Sequence, residues 1–308
     1  MPELPEVETA RRLLHAQLIN KTLVQVDSRL PKLMRDSPIP NLTLLIGQAL
    51  IDTRRRAKVL MLDFDGGLSL LIHLKLAGQV AVFAPDGSRH VAGHPIPKPD
   101  GPYPHSATHF DFLFSDGTLF YFSDVRQFGW LRLMPFEDVD AAIAAFRFGP
   151  EGTTNLLPLT ELGTVMQRRG IPIKTLLLDQ TFIAGLGNIY VDEALFDARI
   201  HPERPASSLT KPERTRVLTA VPIALAEGLR QGGATIINTR AFPIDNFPAV
   251  HAREGEACFV CSSIIKKIRV GQRGTYFCPK CQPAKRKRIP RVGAGKAESR
   301  PKIDIGTN

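Results

Sequence analysis

The chain has 308 residues, 43% of them hydrophobic and 23% charged, which suits a folded protein with more than one core and excludes a disordered chain. Forty Lys and Arg against 30 Asp and Glu leave a net charge of +10, which points to a polyanionic partner without naming it. No apolar run approaches the roughly 18 to 20 residues that span a bilayer, and MPELPEVETA is acidic, unlike a secretory signal, so a cytoplasmic protein with no membrane partner is expected.

The first expected element is a helix. Pro5 suits its first position, Glu6 and Glu8 favour the positive end of the helix dipole, and Val7, Ala10, Leu14 and Leu18 recur at helical spacing. Strands follow. AKVLMLDF and LSLLIHL flank Asp65-Gly66-Gly67, while HFDFLF and TLFYF flank Ser115-Asp116-Gly117, so two hairpins are expected in a mostly antiparallel sheet. The Pro-, Gly- and His-rich stretch 85–104 reads as a surface loop between strands. The character changes after about Met134. PFEDVDAAIAAFRF reads as a helical linker ending at Gly149-Pro150. Helices are expected over 159–169, 173–178, 189–198 and 211–231, separated by Gly170-Ile171-Pro172, Gly185-Leu186-Gly187 and His201-Pro202. Residues 242–248 read as a loop, and 258–281 as a small metal unit. Residues 283–308 read as a disordered basic tail with eight basic and two acidic residues.

The metal unit rests on spacing alone. Cys258 and Cys261 form one CxxC pair, and Cys278 and Cys281 another sixteen residues on; four thiolates so placed can close a tetrahedron around one zinc ion. Four cysteines leave no open coordination position, so the zinc is structural. The intervening IIKKIRVGQRGTYF reads as a strand, a tip at Gly271-Gln272-Arg273-Gly274, and a second strand, whose folding energy the metal would supply. Arg273 at a rigid tip suits a phosphate contact, though taken alone the pattern fits a solvated turn arginine better. At the other end, removal of Met1 would leave Pro2 with a secondary amine that is partly unprotonated at neutral pH. Such an amine can attack C1′ of a deoxyribose if an acid stands nearby, and Glu3 and Glu6 are the candidates. Taken alone, the pattern fits an ordinary acidic helix start better.

Together these segments resemble the formamidopyrimidine-DNA glycosylase family, which excises 8-oxoguanine and ring-opened purines. The resemblance runs from Pro2 to about Gln282. It is carried by MPELPEVETARR, RRRAKVLMLDF, HLKLAGQV, DVRQFGWLRL, IPIKTLLLDQTFIAGLGNIYVDEALF, HPERPASSL, RQGG and the CxxC pairs, with 85–104 as its main excess. It implies Pro2 as nucleophile, Glu3 as catalytic acid and base, and Glu6 in support. Lys58, Lys174, Asn188 and Arg273 would hold DNA, and His105 joins the expected DNA contacts. A lysine opening a strand after three arginines also suits a polyanion anchor, as the N–H groups after Gly185-Leu186-Gly187 suit a phosphate. Arg126 and Phe128 match two of three residues that fill the hole left by an extruded nucleotide. The third is typically methionine in the family, and Leu76 stands there; a strand-core role for Leu76 is equally open. His251-Ala252 replaces the family's common Tyr-Gly, and residues 235–246 would cap the extruded base. His73, in an apolar strand, reads as a core histidine, and His90, His94, His105 and His109 are too loosely spaced for a metal site.

The expected fold is α+β in two domains. An N-terminal antiparallel β-sandwich with a leading helix (1–135) and a linker (136–150) precede a helix–two-turns–helix domain (151–250), a four-cysteine zinc ribbon (251–282) and the tail (283–308). The expected activity is removal of oxidised purines from duplex DNA through a Pro2 Schiff base, then β,δ-elimination, by a monomer that binds damaged double-stranded DNA. The alternatives are an endonuclease VIII-like enzyme for oxidised pyrimidines and a non-catalytic zinc-dependent DNA-binding protein. MPELPE and DVRQFG argue against the first, and Pro2, Glu3, Glu6 and Lys58 together against the second.

Overall fold

The computed structural model describes residues 1–96, 98, 100–153, 158–237 and 240–284. Helix α1 (Leu4–Leu18) opens the chain. Strands β1 (Leu23–Ser28), β2 (Leu50–Arg56), β3 (Val59–Phe64), β4 (Leu68–His73), β5 (Gly78–Phe83), β6 (Arg89–Gly93), β7 (Thr108–Phe114), β8 (Leu119–Asp124) and β9 (Trp130–Pro135) follow. They form two antiparallel sheets, one ordered β1-β7-β8-β5-β6 and the other β2-β3-β4-β9. Period-two side-chain alternation explains the layering. Leu60, Leu62 and Phe64 of β3 face Phe110, Phe112, Phe120 and Phe122 of the other sheet in one core, which α1 closes with Val7, Ala10, Leu14 and Leu18. Val59 and Met61, pointing the other way, pack on Val139 of helix α2 (Val139–Ala144) in the linker.

Two expectations shift here. Helix α1 starts one residue early, with Glu3 as its cap and Pro5 in its second position. The stretch 85–104 is only in part a loop: residues 89–93 form β6, which pairs with β5 from Gln79↔Gly93 to Phe83↔Arg89 and lies against α1. Flanking prolines and glycines hide a strand of five residues from a sequence reading.

Beyond the linker the chain is helical: α3 (Leu159–Arg168), α4 (Ile173–Leu177), α5 (Asn188–Asp197) and the long α6 (Lys211–Arg230). Thr210 and Glu213 cap α6 reciprocally. Helix α5 is buried nearly all round, and its Tyr190, Val191, Ala194 and Leu195 join Val217, Val221 and Leu225 of α6 in a second core. Leu4 of α1 belongs to that core, so the first helix is shared between the two halves. Short strands β10 (Ile236–Ile237) and β11 (Arg240–Ala241) lead to the ribbon β12 (Lys266–Val270) and β13 (Arg273–Phe277). Val270 pairs with Arg273, so the tip is only Gly271-Gln272, both at positive φ, and Arg273 opens β13. Of the expected basic tail, residues 285–308 lie outside the described residues, as do residues 238–239 of the expected base-capping loop.

Candidate active site

The N-terminus sits at the floor of a cleft where the two halves meet. Pro2 lines two adjoining cavities. The larger, about 620 Å³, is walled by Glu3, Glu6, Leu76, His94 and Arg273; Lys58, His73 and Gln180 wall the second. Glu3 is 1% exposed. Its carboxylate accepts from the backbone N–H groups of Ile189 (2.8 Å) and Tyr190 (3.4 Å), at the start of α5. The N–H groups of the second and third residues of that helix are therefore taken by Glu3, a carboxylate from the protein itself, and are not left for a phosphate. Gly187 permits this, because a Cβ there would lie 2.3 Å from Glu3 Cδ. Burial raises the Glu3 carboxyl above its ordinary range. Glu6 pushes the same way, while Lys58 and the Ile189 N–H oppose.

Glu6 is buried and fully engaged. Glu3 N–H donates to its Oε2 (2.8 Å), while its Oε1 accepts from Tyr190 Oη (2.7 Å) and Ala234 N–H (3.0 Å). It ties α1 to α5 and to the segment before β10. Lys58 lies in the turn before β3, not in the strand. Its Nζ donates to the Leu186 carbonyl (2.6 Å), and burial lowers its pKa against the pull of Glu3 and Glu6. The three arginines before it form no phosphate anchor. Arg54 binds Asp63, Arg55 binds Glu8 and Glu151, and Arg56 binds Glu151 and the Gly149 carbonyl (2.7 Å).

One expected DNA contact is corrected. Lys174 is fully buried, with Nζ on Asp192 (2.6 Å) and the Gly274 carbonyl (3.2 Å). It holds the ribbon to the helices and presents nothing to solvent. His105 is half-buried and lies outside the residues lining either cavity; its Nδ1 accepts from Ala107 N–H, its ring meets Tyr103 edge-on, and its Nε2 has no partner among the described residues. Asn188 does line the cleft, with Nδ2 on the Gly274 carbonyl (2.9 Å). Leu76 sits in the turn between β4 and β5, facing both cavities rather than a strand core. Arg126 and Phe128 lie on the exposed β8–β9 loop, with the Arg126 guanidinium 5.5 Å from the Phe128 ring centre and Phe128 54% exposed. His73 accepts from Lys75 N–H (2.9 Å) and packs on Trp130. Burial drops its pKa to about 3, so it is uncharged as a core histidine should be, although it also lines the second cavity.

Several residues with structural duties escaped the sequence reading. Asp124 shapes the β8–β9 loop by accepting from Arg126 N–H (2.9 Å) and Gly129 N–H (2.7 Å); an Asp opening a short turn is the available signal. Asp192, fully buried, gathers Lys174, His251 Nδ1 (2.7 Å) and Tyr276 N–H (3.1 Å). Glu193 accepts from Ala249, Val250 and His251 N–H groups. Two adjacent acids inside the apolar NIYVDEALF were the visible hint, since a buried carboxylate must find donors.

The four cysteine sulfurs lie within 4.8 Å of one another. A tetrahedral zinc–thiolate centre sets sulfurs roughly 3.8 Å apart, and contacts of 3.4, 3.5 and 3.9 Å between these sulfurs fit it. Cys258, Cys261, Cys278 and Cys281 thus suit one structural zinc, which fixes the base of the ribbon that carries Arg273.

Comparison with known proteins agrees with this geometry. Residues 1–131 match the formamidopyrimidine-DNA glycosylase N-terminal domain, 148–240 the H2TH domain of the same enzymes, and 255–284 the zinc finger found in FPG and IleRS. The chain is 38% identical over 291 residues to a formamidopyrimidine-DNA glycosylase of Pelotomaculum thermopropionicum, covering 92% of this chain and 100% of that one. It is 36% identical over 287 residues to one of Streptococcus thermophilus, covering 92% and 99%. Among solved structures, Lactococcus lactis Fpg in complex with abasic-site DNA is similar at a TM-score of 0.80 and 30% identity, covering 92% of this chain and 100% of that one.

Proposed function

The chain belongs to the formamidopyrimidine-DNA glycosylase family, and from that premise we propose how its residues divide the work. It is a DNA glycosylase with abasic-site lyase activity, acting on damaged double-stranded DNA. Loss of the exposed Met1 frees the Pro2 nitrogen in the floor of the cleft. That nitrogen attacks C1′ of an extruded nucleotide, the glycosidic bond breaks, and the base leaves with a proton. Glu3 supplies the proton to the sugar or the departing base, because its raised pKa keeps a protonated fraction available. Ring opening leaves an iminium on Pro2. Loss of the 2′ proton expels the 3′ phosphate, and a further elimination expels the 5′ phosphate. Lys58, largely buried beside Glu3, stabilises negative charge as it develops, and Asn188 and Arg273 grip the flanking phosphates. Arg126, Phe128 and Leu76 occupy the vacated stack. Oxidised purines are the substrate, and the bacterial sources of the relatives support work in a bacterial cytoplasm.

The observation that carries this reading is a buried carboxylate, Glu3, one residue from an amine that opens on the same cavity. Borohydride trapping on an 8-oxoguanine duplex tests it. The full chain should form a covalent adduct. Pro2→Gly should keep part of it, since a primary amine still forms an imine, and Glu3→Gln should lose base excision. Absence of any adduct where DNA is bound would overturn the reading.

A further inference from the structure

Residues 93–96, which have no part in the chemistry above, form a wall of the reaction cavity. Strand β6 ends at Gly93, whose φ of +101 turns the chain back across β5. A Cβ there would meet the Gly78 carbonyl at 2.7 Å, so only glycine lets the segment close this tightly. The next residues are pinned. His94 N–H donates to the Gly78 carbonyl (2.9 Å), and the fully buried Gln79 donates to the His94 carbonyl (2.7 Å) while accepting from Tyr103 Oη. Tyr103 packs on Phe83 and Tyr121. Held this way, Gly93, His94, Pro95 and Ile96 line the cavity that contains Pro2, Glu3 and Glu6. Ile236 and Ala234 line it too.

The chemistry of this wall is specific. His94 Nδ1 is committed to the Ile96 backbone, at 3.0 Å from its carbonyl and 3.2 Å from its nitrogen. Among the described residues, Nε2 has no protein partner and is the ring atom left for a ligand. Burial and the nearby amino terminus lower the imidazole pKa, so the ring is a neutral hydrogen-bonding group. Ile96 is 38% exposed and offers an apolar surface beside it.

We propose that Gly93–Ile96 is a specificity wall for the extruded base, with Ile96 against its flat face and His94 Nε2 hydrogen-bonded to its edge. A purine suits such a wall, with apolar faces and a polar rim. The proposal rests on the glycosylase reading but separates from it in the assay, because a preformed abasic site has lost the very group the wall would touch. The experiment compares single-turnover base excision on 8-oxoguanine and formamidopyrimidine duplexes with strand cleavage at a preformed abasic site, using the full chain, His94→Ala, His94→Gln and Ile96→Ala. Excision should fall about threefold to tenfold in each alanine variant, the size of one hydrogen bond or one apolar contact. Abasic cleavage should stay within about twofold of the starting protein, and His94→Gln should recover part of the loss. Equal losses on both substrate types, or no loss on either, would overturn the proposal. Failure of the unaltered chain to cleave abasic DNA would instead sink the glycosylase reading, and the wall with it.

Discussion

Glu3 illustrates how one side chain can serve chemistry at the expense of stability. Its carboxyl is buried and its pKa raised, so the folded chain holds that proton more tightly than the unfolded chain. Its contribution to stability is therefore most favourable at low pH and is lost as pH rises from about 4.5 through the raised value. At neutral pH, Glu3→Gln should abolish base excision yet leave the melting temperature unchanged or higher, since the neutral amide can still accept from Ile189 N–H. A fall of several degrees in a calorimetric scan at pH 7.5 would contradict this account of the burial.

Among the elements, the Glu8–Arg55–Glu151 chain couples α1, β2 and the segment after the linker. Arg55 donates to Glu8 at 3.0 Å and to Glu151 at 2.9 Å, with only a tenth of its side chain exposed. Burial works against the Glu8 charge, but hydrogen bonds from Arg11, Arg55 and Arg12 outweigh it and hold the carboxyl at about 2. Its stabilisation is thus present above about 4.5 and lost as pH falls toward 2. Arg55→Ala removes a shared partner from two part-buried acids, which keep Arg11, Arg12 and Arg56, and should cost about 2 kcal/mol in a urea midpoint series at pH 7. The loss should shrink at pH 3, where the acids take up protons more readily once their partner is gone. The zinc ribbon makes a second element-scale case. Its apolar cluster is small, built around Val250, Ile265 and Tyr276, so the metal carries much of its folding energy. Chelation or Cys261→Ser should release Arg273 and weaken binding to abasic DNA at least tenfold, while the β-sandwich keeps its far-ultraviolet dichroism.

Across the whole molecule, the +10 charge is spread unevenly, and much of the basic surface in the first half is neutralised internally by Asp63, Glu8 and Glu151. DNA affinity is therefore expected to depend on a few groups around the cleft, and the basic residues past position 284 are expected to add to it. Removing one phosphate-binding group should lower the slope of log affinity against log salt by about 0.9. Arg273→Ala should remove about one such unit, and a chain ending at residue 282 more than one. Titrations at several salt concentrations read this directly; an unchanged slope in both proteins would place the DNA elsewhere.

What the sequence determined by itself was local. The α1 face, the two hairpins, the helix positions after residue 158 and the zinc-binding cysteines all follow from periodicity, turn residues and spacing, because neighbours in the chain decide them. The roles of Pro2 and Glu3 came from a resemblance of whole motifs, since their local pattern is that of any acidic helix start. Only the tertiary structure showed that Glu3 occupies the N-terminus of α5, that Lys174 is sealed inside with Asp192, and that the arginines before Lys58 are spent on internal acids. It also turned part of an apparent loop into β6 and brought His94 to the cleft. A charged side chain reads the same whether it faces water or a buried partner. The partners here lie 9 to 186 residues away along the chain, and the fold alone decides which of them meet.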